Sequence, residues 1–194
     1  MPLTQLDPIA ALLVIDLQKG IVSMPLAHDT TDIVERSARL ARAFRLHHLP
    51  VVLVNVTGRA PGRTDIPSPV SAPPPGWDEL DPRLDQQPGD IFISKQRVGA
   101  FLGTTLHEQL RQRGVTQIFL TGIATASGVE STARSAFDLG YNVVFVTDAM
   151  TDRDPETHQY YVEKVFPRRG ETTTTQNVLD QLAARPPESP NEKE

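Results

Sequence analysis

Short runs of apolar residues alternate along this chain with longer segments in which apolar residues recur at helical spacing. The runs predict strands at 9–15, 50–56, 90–93, 116–120 and 142–146, with a sixth near 168–172. The helical spacing predicts helices at 31–48, 104–113, 129–139, 155–165 and 174–184. Continuously apolar strands that are each followed by a helix are typical of a parallel sheet covered on both faces. We therefore predict an α/β fold: a three-layer, doubly wound, Rossmann-like sandwich around a six-stranded, mainly parallel sheet.

Two segments do not follow this alternation of predicted strands and helices. Residues 58–87 are rich in proline and glycine and are too long for a plain connector. We interpret them as a functional or oligomer-contacting loop, the alternative being a simple surface excursion. Residues 186–194 are polar and proline-rich, so we expect a disordered tail. The length of 194 residues then suits one domain over residues 1–185.

Charge and cysteine content exclude several classes of function. The chain has 19 Lys and Arg against 24 Asp and Glu, a net charge of −5, without a basic block. This balance argues against a nucleic-acid or membrane partner, and we expect a small-molecule substrate. The absence of cysteine excludes disulfides, thiolate metal sites and a cysteine nucleophile. The first residues resemble neither a signal peptide nor an anchor, so a cytoplasmic location is expected.

Two charged residues stand where predicted strands end, and ligands of open parallel sheets bind beyond the carboxyl ends of the strands. Asp16 follows the first strand, where partial burial raises the pKa of a carboxyl group and suits a general acid or base. A helix cap is the alternative. Lys95 follows the third strand, where it could keep Asp16 ionised or bind an anionic substrate. A solvated surface charge is the alternative.

The fourth predicted strand leads through small residues into a helix over 121–132. Such a turn presents backbone N–H groups and the positive end of a helix dipole, which suits an anion or oxyanion; tight helix-on-sheet packing is the alternative. Ser127 lies in this turn without a G-x-S-x-G pattern, so the sequence does not favour a serine nucleophile. Asp148 and Asp152 follow the fifth strand and are close enough to form a site, but capping of the next helix is the favoured interpretation. The five histidines lack metal-binding spacing, and we expect no metal and no cofactor.

Several of these stretches together resemble the isochorismatase-like hydrolases, also called cysteine hydrolases. They are Val14-Ile15-Asp16-Leu17-Gln18, Ser94-Lys95-Gln96-Arg97-Val98-Gly99-Ala100-Phe101, the segment 121–133 and the segment 140–149. The resemblance covers about residues 8–183. It implies an isochorismatase-like, six-stranded parallel sheet with helices on both sides, and a homo-oligomer, either a dimer or a tetramer.

The resemblance also implies catalytic roles. In the amidohydrolase branch of that family, an aspartate and a lysine activate a cysteine nucleophile at a helix start. Asp16 and Lys95 match these partners, and Gly128 stands at the nucleophile position, which implies a variant with glycine in place of cysteine. True isochorismatases, which hydrolyse a vinyl ether, look similar. There, the resemblance implies an aspartate that protonates the substrate double bond, a lysine that helps position the anionic substrate, and water that completes the hydrolysis.

For substrate binding, the resemblance points to the turn and the long loop. The backbone of Ala124-Thr125 and Gly128-Val129 is expected to form an oxyanion or carboxylate cradle, with a cis bond between Ala124 and Thr125. The residues assigned to the substrate are Gln18, Ala124, Thr125, Ser127, Val129 and Arg63, with Arg59 as a second loop arginine; ordinary loop charges are the alternative for both arginines. The chain departs from the isochorismatase pattern at Ala124 and Ala126, which replace an aromatic residue and a histidine, and at Val56, which replaces a glutamine.

The leading hypothesis is thus a hydrolase of a small anionic metabolite that works by Asp/Lys acid–base chemistry, with vinyl-ether cleavage as its most concrete form. A rival from another class is a catalytically inactive small-molecule binder or oligomeric scaffold of the same fold. Hydrolysis through Ser127 is a third hypothesis.

Overall fold

A computed structural model describes residues 3–65 and 73–185, and the predicted disordered tail at 186–194 lies outside these residues. The strands are β1 Ala10–Ile15, β2 Val51–Val56, β3 Ile91–Lys95, β4 Gln117–Ile123, β5 Asn142–Thr151 and β6 Glu171–Thr173. The helices are α1 Lys19–Val22, α2 Thr30–Leu46, α3 Leu106–Gln112, α4 Glu130–Asp138, α5 Pro155–Tyr160 and α6 Thr175–Ala183. Within the described residues, none of these helices has the length and apolar character needed to cross a bilayer.

The six strands form one parallel sheet in the order β3-β2-β1-β4-β5-β6. The chain builds outward from β1 to β3, returns to the centre and then builds outward from β4 to β6. The strand order therefore reverses between β1 and β4. Loops leave a crevice at the carboxyl ends of such a strand pair, and this is where open α/β sheets bind ligands.

Helices cover both faces of the sheet, which confirms the predicted three-layer fold. One face packs against α2 and α6, with Phe44, Phe119 and Leu182 in the core. The other packs against α3 and α4, with Leu106 and Phe145 in the core. Successive residues of β1 alternate between the two cores, so all six are buried. This double burial explains why the strand is continuously apolar.

The structure also corrects several boundaries. β4 and β5 continue past their predicted ends at residues 120 and 146, because Gly122 and the segment 147–151 keep the backbone pairing after the apolar run stops. Asp148 consequently lies within β5 rather than after it, and Lys95 is the last residue of β3. The predicted helices at 129–139 and 155–165 are each joined to a π-helical turn, Thr125–Val129 and Tyr161–Val165. Helix α1 has only four residues and was not predicted.

Gly122 sets the distance between the two central strands. Its φ is +112°, and a Cβ atom at this position would lie 2.0 Å from the carbonyl oxygen of Ile15. We expect Gly122→Ala to lower the free energy of unfolding by at least about 3 kcal/mol, since it adds both backbone strain and overpacking. Urea unfolding measures the loss. In Gly89→Ala, the matched control, the new Cβ meets no atom within 4 Å. Equal denaturation midpoints for the two variants would contradict the prediction.

Candidate active site

Asp16 lies directly beyond the buried strand β1 and is only 4% exposed. Its φ of +53° is left-handed, a conformation that aspartate tolerates better than most residues. Its backbone N–H still donates to the Val54 carbonyl, at 2.9 Å, so the residue is anchored to the sheet. The structure excludes the helix-cap alternative, because α1 begins after Gln18 and no side chain caps it.

Lys95 forms an ion pair with Asp16 at the floor of the crevice. Its Nζ lies 2.7 Å from Asp16 Oδ2, and its side chain is 2% exposed, which excludes a solvated surface charge. The same nitrogen donates to the carbonyl oxygens of Val98, at 2.9 Å, and Arg97, at 3.3 Å. An ammonium group has three hydrogens, so these contacts occupy all of them. Lys95 is therefore the counter-ion of Asp16 and has no hydrogen left for a ligand in this arrangement.

Burial shapes the acidity of Asp16. Loss of hydration raises the pKa of its carboxyl group to about 6, although the charge and hydrogen bond of Lys95 act in the opposite direction. Its second oxygen, Oδ1, is buried and has no hydrogen-bond partner among the described residues. A carboxyl group with a pKa near 6 exchanges protons near neutral pH. Asp16 thus combines a suitable acidity with one uncommitted oxygen.

Gly128 lies next to this carboxyl group, in the π-helical turn Thr125–Val129 that joins β4 to α4. A Cβ atom built on Gly128 would lie 3.1 Å from Asp16 Oδ2 and 3.2 Å from the carbonyl oxygen of Ile123. Any side chain at position 128 would therefore touch Asp16. The cis peptide bond of this region joins Ile123 to Ala124, one residue before the predicted position.

The turn offers fewer free amides than the sequence analysis expected. The carbonyl of Ala124 accepts from the N–H groups of Ser127, at 3.0 Å, and Val129, at 3.1 Å. Asp152 Oδ2 accepts from the N–H of Ala126, at 2.7 Å. The Val129 amide is thus already used and cannot contribute to the predicted cradle. The amides of Ala124, Thr125 and Gly128 are the remaining candidates.

A cavity of about 560 Å³ opens above these residues, a size typical of small-molecule sites. Five residues of the sequence-based site line it: Asp16, Lys95, Gly128, Ala124 and Ser127. An apolar wall comes from Ile21, Met24 and Leu26, in and after α1. Gly58, Arg59 and Ala60 also line the cavity, so the start of the long loop belongs to this site.

Four other residues assigned to the substrate lie elsewhere. Gln18 is buried, and its side chain accepts from the Val56 N–H and donates to the carbonyls of Val56 and Trp77, so it anchors loops. Arg63 is exposed and is not among the residues that line the cavity. The remaining two, Thr125 and Val129, are buried, and the hydroxyl of Thr125 lies 2.8 Å from His158 Nδ1.

Three charged residues that line the cavity were not assigned to the site from the sequence: Arg97, Arg153 and Asp152, the last of which was interpreted as a helix cap. Asp152 directly follows β5, as Asp16 follows β1, and this position at the carboxyl edge of the sheet was the available signal. Besides Arg59, the cavity thus has two further arginines. In the part of the chain that the structure describes, none of the three pairs with a carboxylate.

Comparisons with known proteins agree with this architecture. The family model described as Isochorismatase domain matches residues 10–177. The uncharacterized isochorismatase family protein YwoC of Bacillus subtilis is 41% identical over 179 residues, which cover 89% of this chain and 93% of YwoC. An isochorismatase family structure from Burkholderia thailandensis has a TM-score of 0.89 at 40% identity, covering 92% of this chain and 98% of that one. N-carbamoylsarcosine amidase from Thermoplasma acidophilum has a TM-score of 0.71 at 26% identity, covering 86% and 96%.

The ion pair makes stability depend on pH in a predictable direction. Lys95→Met removes the counter-ion, so the pKa of the buried Asp16 rises above 6. In the unfolded chain this carboxyl titrates near 4, so the folded variant binds one more proton between about pH 4 and the raised pKa. The free energy of unfolding therefore falls as pH rises through that window.

We expect Lys95→Met to lose more stability at pH 8 than at pH 5, by about 1.4 kcal/mol for each unit of additional pKa shift. Urea unfolding at the two pH values measures the difference. The double variant Asp16→Asn/Lys95→Met is the control and should lose this extra pH dependence. A single variant whose loss is the same at both pH values would contradict the assignment.

Proposed function

The chain belongs to the isochorismatase family, and we propose that it hydrolyses a small anionic metabolite with Asp16 as general acid and without a cysteine nucleophile. The observation that carries this proposal is the buried Asp16–Lys95 pair on the cavity floor, with a carboxyl pKa of about 6 and an uncommitted Oδ1. Vinyl-ether hydrolysis is the reaction that this arrangement supports best.

Such a reaction needs an acid and water but no nucleophilic side chain. Protonated Asp16 would give its proton to the terminal carbon of the enol ether, which leaves an oxocarbenium ion. Water would add to that ion and return a proton to Asp16, and the resulting hemiketal would break into a carbonyl compound and an alcohol. With a pKa near 6, roughly a tenth of Asp16 is protonated at pH 7, so the acid is available under neutral conditions.

Gly128 supports the same choice of chemistry. A side chain at position 128 would start 3.1 Å from Asp16 Oδ2, which is where a nucleophile activated by this carboxylate would stand. We infer that glycine here replaces that nucleophile and leaves room for the substrate beside the acid. The related N-carbamoylsarcosine amidase is named for amide hydrolysis. In this chain, a covalent route to an amide would depend on Ser127, whose hydroxyl has no hydrogen-bonded base among the described residues.

The anionic charge of the substrate is inferred from the arginines. All hydrogens of the Lys95 ammonium group are occupied, so a substrate anion needs another partner. Arg59, Arg97 and Arg153 line the same cavity, and a guanidinium group binds a carboxylate through two parallel hydrogen bonds. We therefore propose that these three arginines, rather than Arg63, bind the anionic group of the substrate.

The first experiment is a turnover screen, by mass spectrometry, of the unsubstituted protein beside Asp16→Asn. The panel holds enol ethers, including isochorismate, and small amides. We expect enol-ether turnover that falls by about 10²–10⁴-fold in Asp16→Asn, the contribution typical of general acid catalysis. We also expect turnover to decrease as pH rises past about 6, because the protonated form of Asp16 is the donor.

Ser127→Ala is the matched control and should keep full enol-ether activity. Amide turnover that disappears in Ser127→Ala would contradict the proposed mechanism and favour hydrolysis through Ser127. Absence of turnover across the whole panel would contradict an enzyme for these substrate classes and favour the non-catalytic binder.

The proposed role of the arginines can be tested separately, with the substrate that the screen identifies. Arg97→Gln and Arg153→Gln should each raise its KM about tenfold with little change in kcat, since each removes a hydrogen bond to a charged group in the bound complex. Arg111→Gln on α3, outside the cavity, is the control and should leave both constants unchanged. Unchanged KM in both cavity variants would refute the proposed role of these arginines.

A further inference from the structure

Side chains from the corner between β5 and α5 hold the π-helical turn at two points. The hydroxyl oxygen of Thr125 lies 2.8 Å from His158 Nδ1, and both residues are buried. One residue further on, the N–H of Ala126 donates to Asp152 Oδ2 at 2.7 Å. Thr125 is the first residue of the π-helical turn and Gly128 is the fourth. The two contacts therefore hold the end of the turn that directly follows β4.

A second histidine fixes the ring of His158. The ring centroid of His28 lies 4.8 Å from that of His158, with the rings in an edge-to-face arrangement. His28 is itself held, because its Nδ1 lies 2.8 Å from Thr151 Oγ1 and its backbone N–H donates to the same hydroxyl oxygen at 3.2 Å. The acid–base chemistry proposed for Asp16 uses neither histidine.

From these contacts we infer that His158 is a positioning residue, which acts through the Thr125 hydroxyl to set the orientation of the Thr125 and Gly128 amides above the cavity floor. The inference rests on the proposed function only in assigning those two amides to the substrate cradle. It goes beyond that function in giving a role to a histidine that does not line the cavity.

The charges around His158 favour its neutral form. Burial and the neighbouring His28 lower its pKa, while Asp152 opposes them. On its own helix, Asp154 and Glu156 are exposed, and the turn packed against it carries no titratable side chain. A neutral ring can accept the hydroxyl hydrogen of Thr125 at Nδ1, whereas a protonated ring must donate there. When the neutral ring carries its hydrogen on Nε2, protonation therefore reverses this hydrogen bond and makes the Thr125 hydroxyl reorient.

This reversal provides a test that needs no substrate. In ¹⁵N-labelled protein, the amide resonances of Thr125 and Gly128 should change as the pH is lowered from 8, with the midpoint at which the His158 ring resonances titrate. Because Asp16 also titrates nearby, the measurement is repeated in Asp16→Asn, where a transition with the midpoint of the His158 ring resonances should remain. The inference would be overturned if the two amide resonances followed only the titration of Asp16 in the unsubstituted protein. It would also be overturned if they did not change with pH in Asp16→Asn.

Matched variants separate positioning from a simple electric-field effect. Thr125→Val keeps the shape of the side chain but removes the hydroxyl, so the Gly128 amide should no longer follow His158, whereas Thr125→Ser should preserve the response. A response of equal size in Thr125→Val would show a through-space effect and overturn the inference.

His158→Asn serves if Thr125→Val does not fold. An asparagine amide occupies the position of Nδ1, so the Thr125 and Gly128 resonances should keep their pH 8 positions and lose the titration. His158→Leu, which offers no partner to Thr125, should displace them at every pH. Equal positions in the Asn and Leu variants would also overturn the inference. None of these outcomes depends on whether the protein turns over an enol ether.

Discussion

The buried ion pair between Asp16 and Lys95 is the interaction around which the site is organised. Removing two charges from water costs several kcal/mol per ion, and their attraction offsets this only when the remaining hydrogen-bonding groups are satisfied. Lys95 is satisfied by three acceptors, but Asp16 keeps one buried oxygen without a partner. The desolvation of the charged carboxylate is thus only partly offset, and this raises the pKa of Asp16. The member of the pair with an unpartnered oxygen is thus the one to which we assign the proton transfer.

The central strands make this pair possible. Asp16 extends from β1 and Lys95 ends β3, with β2 between them, so a single sheet edge aligns the two side chains. On the other side of β1, Gly122 allows β4 to approach the Ile15 carbonyl closely. This close approach brings the turn after β4, and with it Gly128, within contact distance of Asp16. The geometry of the site is therefore fixed by strand packing before any loop contributes to it.

The sequence predicted the elements that depend on local patterns and failed where distant segments meet. Strands β1, β2 and β4 are buried on both faces and largely apolar, so these strands and the position of Asp16 could be located from the chain alone. The outer strands β3 and β6 are partly exposed, and their ends were located less closely. The occupied Val129 amide could not be anticipated, because it depends on a π-helical turn rather than an ordinary helix start. Arg63 was assigned to the substrate, whereas Arg97 and Arg153 were not considered, because composition does not encode which residues of a loop reach a cavity. Asp152 was interpreted as a cap of the next helix, but Asp154 caps α5, whereas Asp152 accepts a hydrogen bond from Ala126 in the π-helical turn of the site.

A carboxyl group with a pKa near 6 is present in both protonation states near neutral pH, so it can act as an acid or as a base. What stands beside it decides between the two roles. A thiol or hydroxyl within hydrogen-bond distance would present a proton to remove, and the ionised carboxylate would then be the useful form. Glycine at position 128 presents no such proton, so the proposed function uses the protonated form of Asp16. The same aspartate–lysine pair can therefore support covalent or acid-catalysed hydrolysis, and in this chain the absence of a side chain 3.1 Å from Asp16 favours the acid.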